Sequence, residues 1–129
     1  MNNEKVSILI VDDEESIRRL LASYLGDSYT CVTARDAEEA KKLLAASSFN
    51  LVLTDITMPG TSGIELCEHI NAMYKDTFVI IISAHVADQR YNEAKRCHAF
   101  DLIAKPFDLS KVSSTVKRAL SYQADQTAD

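Results

Sequence analysis

The fold is decided by the run Ser7-Ile8-Leu9-Ile10-Val11 and by the two carboxylates that follow it directly, Asp12-Asp13. Apolar residues at consecutive positions place apolar side chains on both faces of a strand, as happens in the interior of a parallel sheet. The same pattern returns at Phe78-Val79-Ile80-Ile81-Ile82, which Ser83 follows. The sequence therefore predicts two interior strands of a parallel sheet, each followed by polar side chains.

Outside these two runs, short apolar segments alternate with longer segments of helical periodicity. The first helical segment repeats apolar residues at Ile17, Leu20 and Leu21 before Gly26, and Asp36 precedes the second as a helix N-cap. Strict alternation predicts an α/β fold with a five-stranded parallel sheet and helices on both faces. The predicted strands are 6–11, 29–34, 51–54, 77–82 and 100–104, and the predicted helices are 14–25, 37–46, 63–74, 86–97 and 109–122.

The chain has the size of one domain. A protein of 129 residues is long enough to bury about two-thirds of its unfolded surface around a single core. The last seven residues lack apolar periodicity. We therefore expect the domain to span residues 1–122 and residues 123–129 to be a flexible tail or the start of a linker.

Composition and charge argue against several classes of protein. There is no apolar run of about 18 residues and no basic segment before a long apolar stretch, so we expect no membrane span or signal peptide and a cytoplasmic location. The net charge of −5 argues against direct binding to nucleic acid. Residues 86–118 nevertheless carry 7 basic against 4 acidic side chains, which favours a protein partner for that part of the surface.

The glycines and cysteines argue against two further kinds of site, a nucleotide-binding loop and a cysteine metal site. Only three glycines occur, and none lies between the first apolar run and the first helix, so no loop that cradles a nucleotide phosphate is predicted. Cys31, Cys67 and Cys97 are widely spaced and lack the spacing of metal ligands. We expect them to be reduced thiols in or near the core.

Ionisable or hydroxyl side chains follow four of the five predicted strands. Asp12 and Asp13 follow the first strand, Asp55 the third, Ser83 the fourth and Lys105 the fifth. Open α/β sheets bind ligands beyond the carboxyl ends of their strands. In the common strand order 2-1-3-4-5, Asp55 is central, and the long side chain of Lys105 can reach towards it from the edge strand.

The three carboxylates predict a site for a divalent cation. Two carboxylates about 4 Å apart repel each other by roughly 4 kcal/mol at an effective dielectric constant near 20. Mg²⁺ relieves such repulsion, because it binds carboxylate, water and phosphate oxygens. Asp55, ionised at pH 7, could then attack a phosphoryl group whose charge Mg²⁺ and Lys105 neutralise, while Ser83 donates a hydrogen bond to that group and moves with it.

Four segments of the chain resemble the receiver (REC) domain of two-component response regulators. They are Ile10-Val11-Asp12-Asp13-Glu14, residues 53–66, Ile82-Ser83-Ala84 and Lys105-Pro106-Phe107. Each segment alone is a weak signal, but the four occur in order at the ends of predicted strands, and the resemblance extends over about residues 5–120. It implies a flavodoxin-like three-layer sandwich with strand order 2-1-3-4-5 and five helices, with the receiver domain in residues 1–122.

The resemblance also implies a metal site. Asp13, Asp55 and the backbone carbonyl of Thr57 are expected to bind Mg²⁺ directly, while Asp12 is expected to act through a metal-bound water. Asp55 is at the same time the expected site of phosphorylation.

Two further side chains are expected to contact the phosphoryl group. Lys105 would bind its oxygens, and Ser83 would be the hydroxyl that moves when the domain is activated. The Lys105–Pro106 peptide bond is expected to be cis, although only about 5–6% of X–Pro bonds are.

The function implied is that of a phosphorelay protein rather than a turnover enzyme. It would take a phosphoryl group from a histidine kinase or phosphotransfer protein and catalyse only its own phosphorylation and dephosphorylation. The response would appear on the surface formed by the predicted helix 86–97, the fifth strand and the last helix, called the output surface below. An effector domain, a partner protein or, on activation, a second copy of the chain would bind there, without a membrane or direct contact with nucleic acid.

Two alternatives remain open from the sequence. One is a pseudo-receiver that only binds partner proteins. The other is a Mg²⁺-dependent phosphohydrolase with an external substrate. The second is disfavoured because such enzymes need an Asp-x-Asp nucleophile after the first strand and a cap or substrate pocket, whereas this chain has Asp12-Asp13-Glu14 and no insertion.

One position departs from the pattern of the family. Receivers usually carry an aromatic residue three positions before the lysine, and here that residue is Leu102. Phe100 shares its parity on the predicted strand but lies about 7 Å upstream. The aromatic residue whose rotation accompanies activation in receivers is therefore replaced by Leu102 here.

Thr57 and His85 lie two positions after Asp55 and Ser83, where receivers vary and where the lifetime of the phosphoryl group is tuned. We expect His85→Ala to change the rate of autodephosphorylation. The decay of phosphorylated wild-type and variant protein, followed side by side after removal of the phosphodonor, measures this. Identical decay would contradict the prediction.

Overall fold

A computed structural model of the chain describes residues 6–84 and 97–126. Within these ranges five strands form one parallel sheet of order β2-β1-β3-β4-β5. The α/β class, the parallel sheet and its strand order are thus confirmed. The strands are β1 Ser7–Val11, β2 Thr30–Ala34, β3 Leu51–Asp55, β4 Phe78–Ser83 and β5 Asp101–Ala104.

Four helices lie within the described ranges. They are α1 Glu15–Leu25, α2 Ala37–Ala46, α3 Gly63–Met73 and α4 Leu109–Gln126. The helix predicted at 86–97 lies outside the described residues, apart from Cys97, which is in a turn. The predicted N-cap of α2 is confirmed, because the Asp36 carboxylate accepts a hydrogen bond from the backbone N–H of Glu39 at 2.9 Å. None of the described helices is long and apolar enough to cross a membrane.

The core lies on both faces of the sheet, as expected for a three-layer sandwich. Alternate residues of the interior strands point to opposite faces, so that Ile8 packs towards α1 and α4 while Leu9 packs towards α2 and α3. The strands β1, β3 and β4 are buried along almost their whole length. This explains why their sequences are apolar without alternation.

The helix α4 is longer than predicted and ends at Gln126 instead of residue 122. The Gln123 side-chain amide donates hydrogen bonds to the backbone carbonyls of Asn50, at 2.9 Å, and of Asp76. These carbonyls lie just before β3 and β4, so the last turns of α4 contact the amino-terminal edge of the sheet. Residues 123–126 are therefore helical, and the division between the domain and a tail or linker stays a prediction.

Phe100 and Leu102 pack on opposite sides of the sheet, so the expectation that they share a strand face is wrong. Because β5 begins at Asp101, Phe100 lies in the bend before the strand, where the alternation of a strand does not apply. Its ring stacks on Phe78 with centroids 5.7 Å apart and lies 6.0 Å from the Tyr122 ring of α4. Leu102 packs against the core beneath α2 and α3.

The start of α3 lies directly against the end of β3. Ser62 and Glu65 form a capping box, in which the Ser62 hydroxyl accepts a hydrogen bond from the Glu65 N–H at 3.2 Å and the Glu65 carboxylate accepts one from the Ser62 N–H at 3.0 Å. The Gly63 N–H donates to the Ile56 carbonyl at 2.8 Å. The loop after Asp55 is therefore closed by the first turn of α3.

We expect Gly63→Ala to lower the free energy of unfolding by about 2–3 kcal/mol. An added Cβ would lie 1.9 Å from the carbonyl oxygen of Asp55, so α3 would have to move away from β3. Urea denaturation followed by circular dichroism measures the loss.

Gly60→Ala is the matched control. Gly60 has a φ of +79° but no atom within 4 Å of an added Cβ. It should therefore lose only about 1 kcal/mol, the conformational cost of a left-handed residue. Equal losses of unfolding free energy in the two variants would show that contact with β3 is not what excludes a side chain at position 63.

Candidate functional site

The carboxyl ends of four strands bring the predicted site residues to one edge of the sheet. Asp12 follows β1, Asp55 ends β3, Ser83 ends β4 and Lys105 follows β5. The register pairs Asp55 with Ile82, and Ser83 with Ala104, so these strand ends are level with each other. The sequence places these residues correctly because parallel strands end at the same edge.

Three carboxylates form an acidic cluster at this edge. Asp12, Asp13 and Asp55 each offer a carboxylate oxygen, and the three oxygens lie within 4.8 Å of one another. Asp12 and Asp55 are buried, with exposed fractions of 2% and 8%, whereas Asp13 is exposed. The cluster is therefore enclosed by the protein on one side and open to solvent at Asp13.

The Lys105 ammonium enters this cluster from β5. Its Nζ lies 3.1 Å from Asp12 Oδ2, 3.4 Å from Asp55 Oδ2 and 3.7 Å from Glu14 Oε1. The backbone N–H of Lys105 donates to the Ser83 carbonyl at 2.8 Å, which joins the end of β5 to the end of β4. The Lys105–Pro106 peptide bond is cis, as expected.

Burial and neighbouring charges shift the pKa values of two of these groups. Burial raises the pKa of the Asp55 carboxyl, and the Asp12 charge raises it further, while the Lys105 ammonium opposes both effects. Burial alone would lower the pKa of Lys105, but the Asp12 and Asp55 carboxylates outweigh it and the pKa is raised. Lys105 is thus charged at neutral pH, and one positive charge faces three carboxylates in the cluster.

The remaining negative charge makes the cluster suited to a hard divalent cation. Carboxylate oxygens are the ligands that Mg²⁺ prefers, and Mg²⁺ usually keeps several waters, for which the exposed side at Asp13 leaves room. The set contains no imidazole or thiolate that would favour a softer metal. The residues at this edge therefore fit Mg²⁺.

Two side chains that contact the cluster were not singled out from the sequence. Arg18 in α1 donates from Nη1 to the Asp12 carbonyl oxygen at 2.7 Å, and Glu14 contacts Lys105 while its N–H donates to Asp12 Oδ1 at 2.9 Å. Both follow the first strand within six residues of Asp12, and this closeness in sequence is the signal that could have found them. Hydrophobic periodicity alone does not identify them, because it does not predict which atoms a long polar side chain contacts.

Ser83 and Thr57 lie at the same edge of the sheet as the cluster. Ser83 is buried at the end of β4, and Thr57 is exposed in the loop between β3 and α3, two residues after Asp55. The parts assigned to them, a switching hydroxyl and a carbonyl ligand, stay predictions. His85 lies outside the described residues.

Comparison with known proteins identifies the family. The family model for the response regulator receiver domain matches residues 8–117. The chain is 39% identical to the response regulator protein PilR of Pseudomonas aeruginosa over 113 residues, which are 87% of this chain and 25% of PilR. It is 35% identical to the DNA-binding transcriptional regulator NtrC of Escherichia coli over 120 residues, 92% of this chain and 26% of NtrC. It thus spans about a quarter of the length of either relative.

Solved structures give the same result. The signal receiver domain of an HD domain-containing protein from Pseudomonas fluorescens superposes with a TM-score of 0.91 at 26% identity, over 98% of this chain and 94% of that one. The response regulator TrrA of Thermotoga maritima, solved in complex with Mg²⁺ and beryllium fluoride, has a TM-score of 0.80 at 34% identity, over 88% of this chain and 98% of TrrA. With the strand order, the acidic edge and a family match over residues 8–117 in agreement, this chain belongs to the response regulator receiver domain family.

Proposed function

We propose that this chain is a phosphorylatable receiver of a two-component phosphorelay, which accepts a phosphoryl group on Asp55 from a histidine kinase or phosphotransfer protein in the cytoplasm. The observation that carries the proposal is the contact of Lys105 Nζ with both Asp12 and Asp55 inside a cluster of three carboxylates. The proposed nucleophile Asp55, two further carboxylates and a positive charge thus lie within a few ångströms of each other. A purely structural ion pair would not need the third carboxylate.

The phosphoryl transfer is a displacement at phosphorus. A carboxylate oxygen of Asp55 attacks the phosphorus of a phosphohistidine, the P–N bond breaks, and its electron pair goes to the imidazole nitrogen, which takes up a proton. Asp55 becomes an acyl phosphate. Lys105, 3.4 Å from Asp55 Oδ2, is close enough to bind an oxygen of the transferred group and stabilise its charge.

Bound Mg²⁺ would neutralise part of the negative charge of the phosphoryl group. Asp13, Asp55 and the Thr57 carbonyl are the proposed direct ligands. Asp12 already accepts hydrogen bonds at both carboxylate oxygens, from the Glu14 N–H at Oδ1 and from Lys105 at Oδ2. This supports an indirect part for Asp12, through a metal-bound water.

The signal would pass from the phosphoryl group to the output surface. The Ser83 hydroxyl, buried at the end of β4, is proposed to turn towards the phosphoryl group on activation. The basic excess of residues 86–118 lies in the segment that forms this surface, which supports a protein as the partner: an effector domain, a separate protein or a second copy of the chain. We propose no contact with a membrane and no direct contact with nucleic acid.

The two alternatives are less well supported. A pseudo-receiver would not need Asp12, Asp13, Asp55 and Lys105 together at one edge. A phosphohydrolase would need an Asp-x-Asp nucleophile after β1, and the chain has Asp12-Asp13-Glu14 there. We therefore propose that the only reactions the chain catalyses are its own phosphorylation and dephosphorylation.

We expect a small acyl phosphate donor to label the protein only when Mg²⁺ is present, and Asp55→Asn to abolish the label because the nucleophile is lost. Lys105→Ala should label about 100-fold more slowly, since it lacks a charge that stabilises the transferred group. Phosphate-affinity electrophoresis or intact mass measures both effects.

Asp27→Asn, an exposed aspartate just after α1, serves as the matched control and should label like the wild type. Equal labelling of wild type and Asp55→Asn would rule out Asp55 as the acceptor. Repeated turnover of a phosphomonoester by the wild type would favour the phosphohydrolase instead.

We also expect Asp55→Asn to raise Tm by several degrees at pH 7 without Mg²⁺. Burial and Asp12 raise the pKa of Asp55 above its ordinary 3.8, so the ionised carboxylate destabilises the folded state at pH 7. As the pH falls through the raised pKa and below 3.8, Asp55 becomes protonated in both states, and the difference between wild type and variant should disappear.

Added Mg²⁺ should reverse the order of the two Tm values, so that the wild type becomes the more stable protein. Mg²⁺ at 100 times its Kd would stabilise the wild type by about 2.7 kcal/mol, whereas the variant has lost one proposed ligand and should gain less. Thermal unfolding at several pH values, with and without Mg²⁺, measures these differences. An equal effect of Mg²⁺ on both proteins would contradict the proposed ligands.

A further inference from the structure

Two buried cysteines lie against each other away from the acidic edge. Cys67 is in the middle of α3, and Cys97 is in the turn before β5, with exposed fractions of 0% and 3%. They are 30 residues apart in sequence, yet the Cys67 thiol donates to the Cys97 carbonyl oxygen at 3.4 Å. The two thiols also lie within hydrogen-bonding reach of each other.

Asn71 fixes this contact. It lies one helical turn after Cys67, and its side-chain amide donates both to the Cys97 carbonyl oxygen and, at 3.7 Å, to Cys67 Sγ. The turn that contains Cys97 is therefore attached to α3 by hydrogen bonds from two α3 side chains. This attachment holds the Cys67 thiol against the turn that contains Cys97.

The contact makes the two thiols unequal. The contact between the two thiols lowers the pKa of Cys97, while the same contact, together with burial, raises the pKa of Cys67. These directions favour Cys97 over Cys67 as the thiol that loses its proton. Two adjacent thiols, one of which ionises more easily than the other, can act as an attacking and a resolving cysteine.

We propose that Cys67 and Cys97 form a redox-active dithiol that hydrogen peroxide converts into an intramolecular disulfide. The Cys97 thiolate attacks one peroxide oxygen, the O–O bond breaks, and the hydroxide that leaves is protonated to water. Cys67 then attacks the sulfur of the resulting sulfenic acid; its proton leaves with the displaced hydroxide as a second water. Two thiols and one peroxide thus give one disulfide and two waters, and small thiols reverse the reaction by exchange.

The disulfide would join two parts of the chain that are connected in sequence to the acidic edge. Cys67 is on the helix that follows the Asp55 loop, and Cys97 precedes β5, the strand that Lys105 follows. In reducing compartments, disulfides between such pairs are usually transient and serve redox sensing. The proposal does not depend on the proposed phosphorylation, since neither sulfur contributes to that site.

The test counts thiols in the native protein after oxidation. Folded protein is treated with hydrogen peroxide, catalase removes the excess, and thiols are counted after unfolding in guanidinium. The wild type, with three cysteines, should fall to one thiol, show a peptide with Cys67 linked to Cys97 by mass spectrometry, and regain all three thiols with dithiothreitol.

Cys31→Ser provides the matched control, because it keeps the pair and removes the half-buried third thiol. It should fall from two thiols to none. Cys67→Ser should form no disulfide and should leave Cys97 as a sulfenic acid that dimedone traps. If the wild type and Cys31→Ser keep all their thiols, or if the disulfide that forms includes Cys31, the proposal is wrong, whether or not Cys67→Ser folds.

Discussion

The contact of the Lys105 ammonium with Asp12 and Asp55 is the interaction on which the candidate site depends. It joins the ends of β1, β3 and β5, three strands that are far apart in sequence. The sheet order brings these ends to one edge, with β3 beside β1 and with β4 between β3 and β5. With one ammonium among three carboxylates, the cluster keeps a net negative charge. In the proposed function, this negative charge attracts a cation, and the cation and Lys105 together stabilise the phosphoryl group.

The rest of the fold serves to fix these groups. The interior strands are buried on both faces, so their register is determined by packing and their carboxyl ends are level. Gly63 allows α3 to begin against the Asp55 carbonyl, and Arg18 binds the carbonyl of Asp12. The proposed nucleophile, Asp55, thus lies at the end of a buried strand, beside Asp13, the exposed member of the cluster.

Much of this arrangement can be predicted from the amino-acid sequence, for a physical reason. Buried parallel strands are recognisable as apolar runs, and the residues after them must meet at one edge, so the order of the residues alone is enough to bring Asp12, Asp55 and Lys105 together. Contacts made by long side chains cannot be predicted in this way, such as that of Gln123 with the carbonyl of Asn50, because no local pattern encodes them. The prediction for Phe100 fails because this residue lies in the bend before β5, so the alternation of a strand does not apply to it.

The most direct measurement locates the phosphorylated residue chemically. After reaction with a small acyl phosphate donor and Mg²⁺, borohydride reduces an aspartyl phosphate to homoserine, and peptide mass spectrometry finds its position in the chain. We predict homoserine at position 55 and unchanged aspartate at Asp12 and Asp13. Homoserine at either of those positions, or none above the level of a Mg²⁺-free control, would contradict the part given to Asp55.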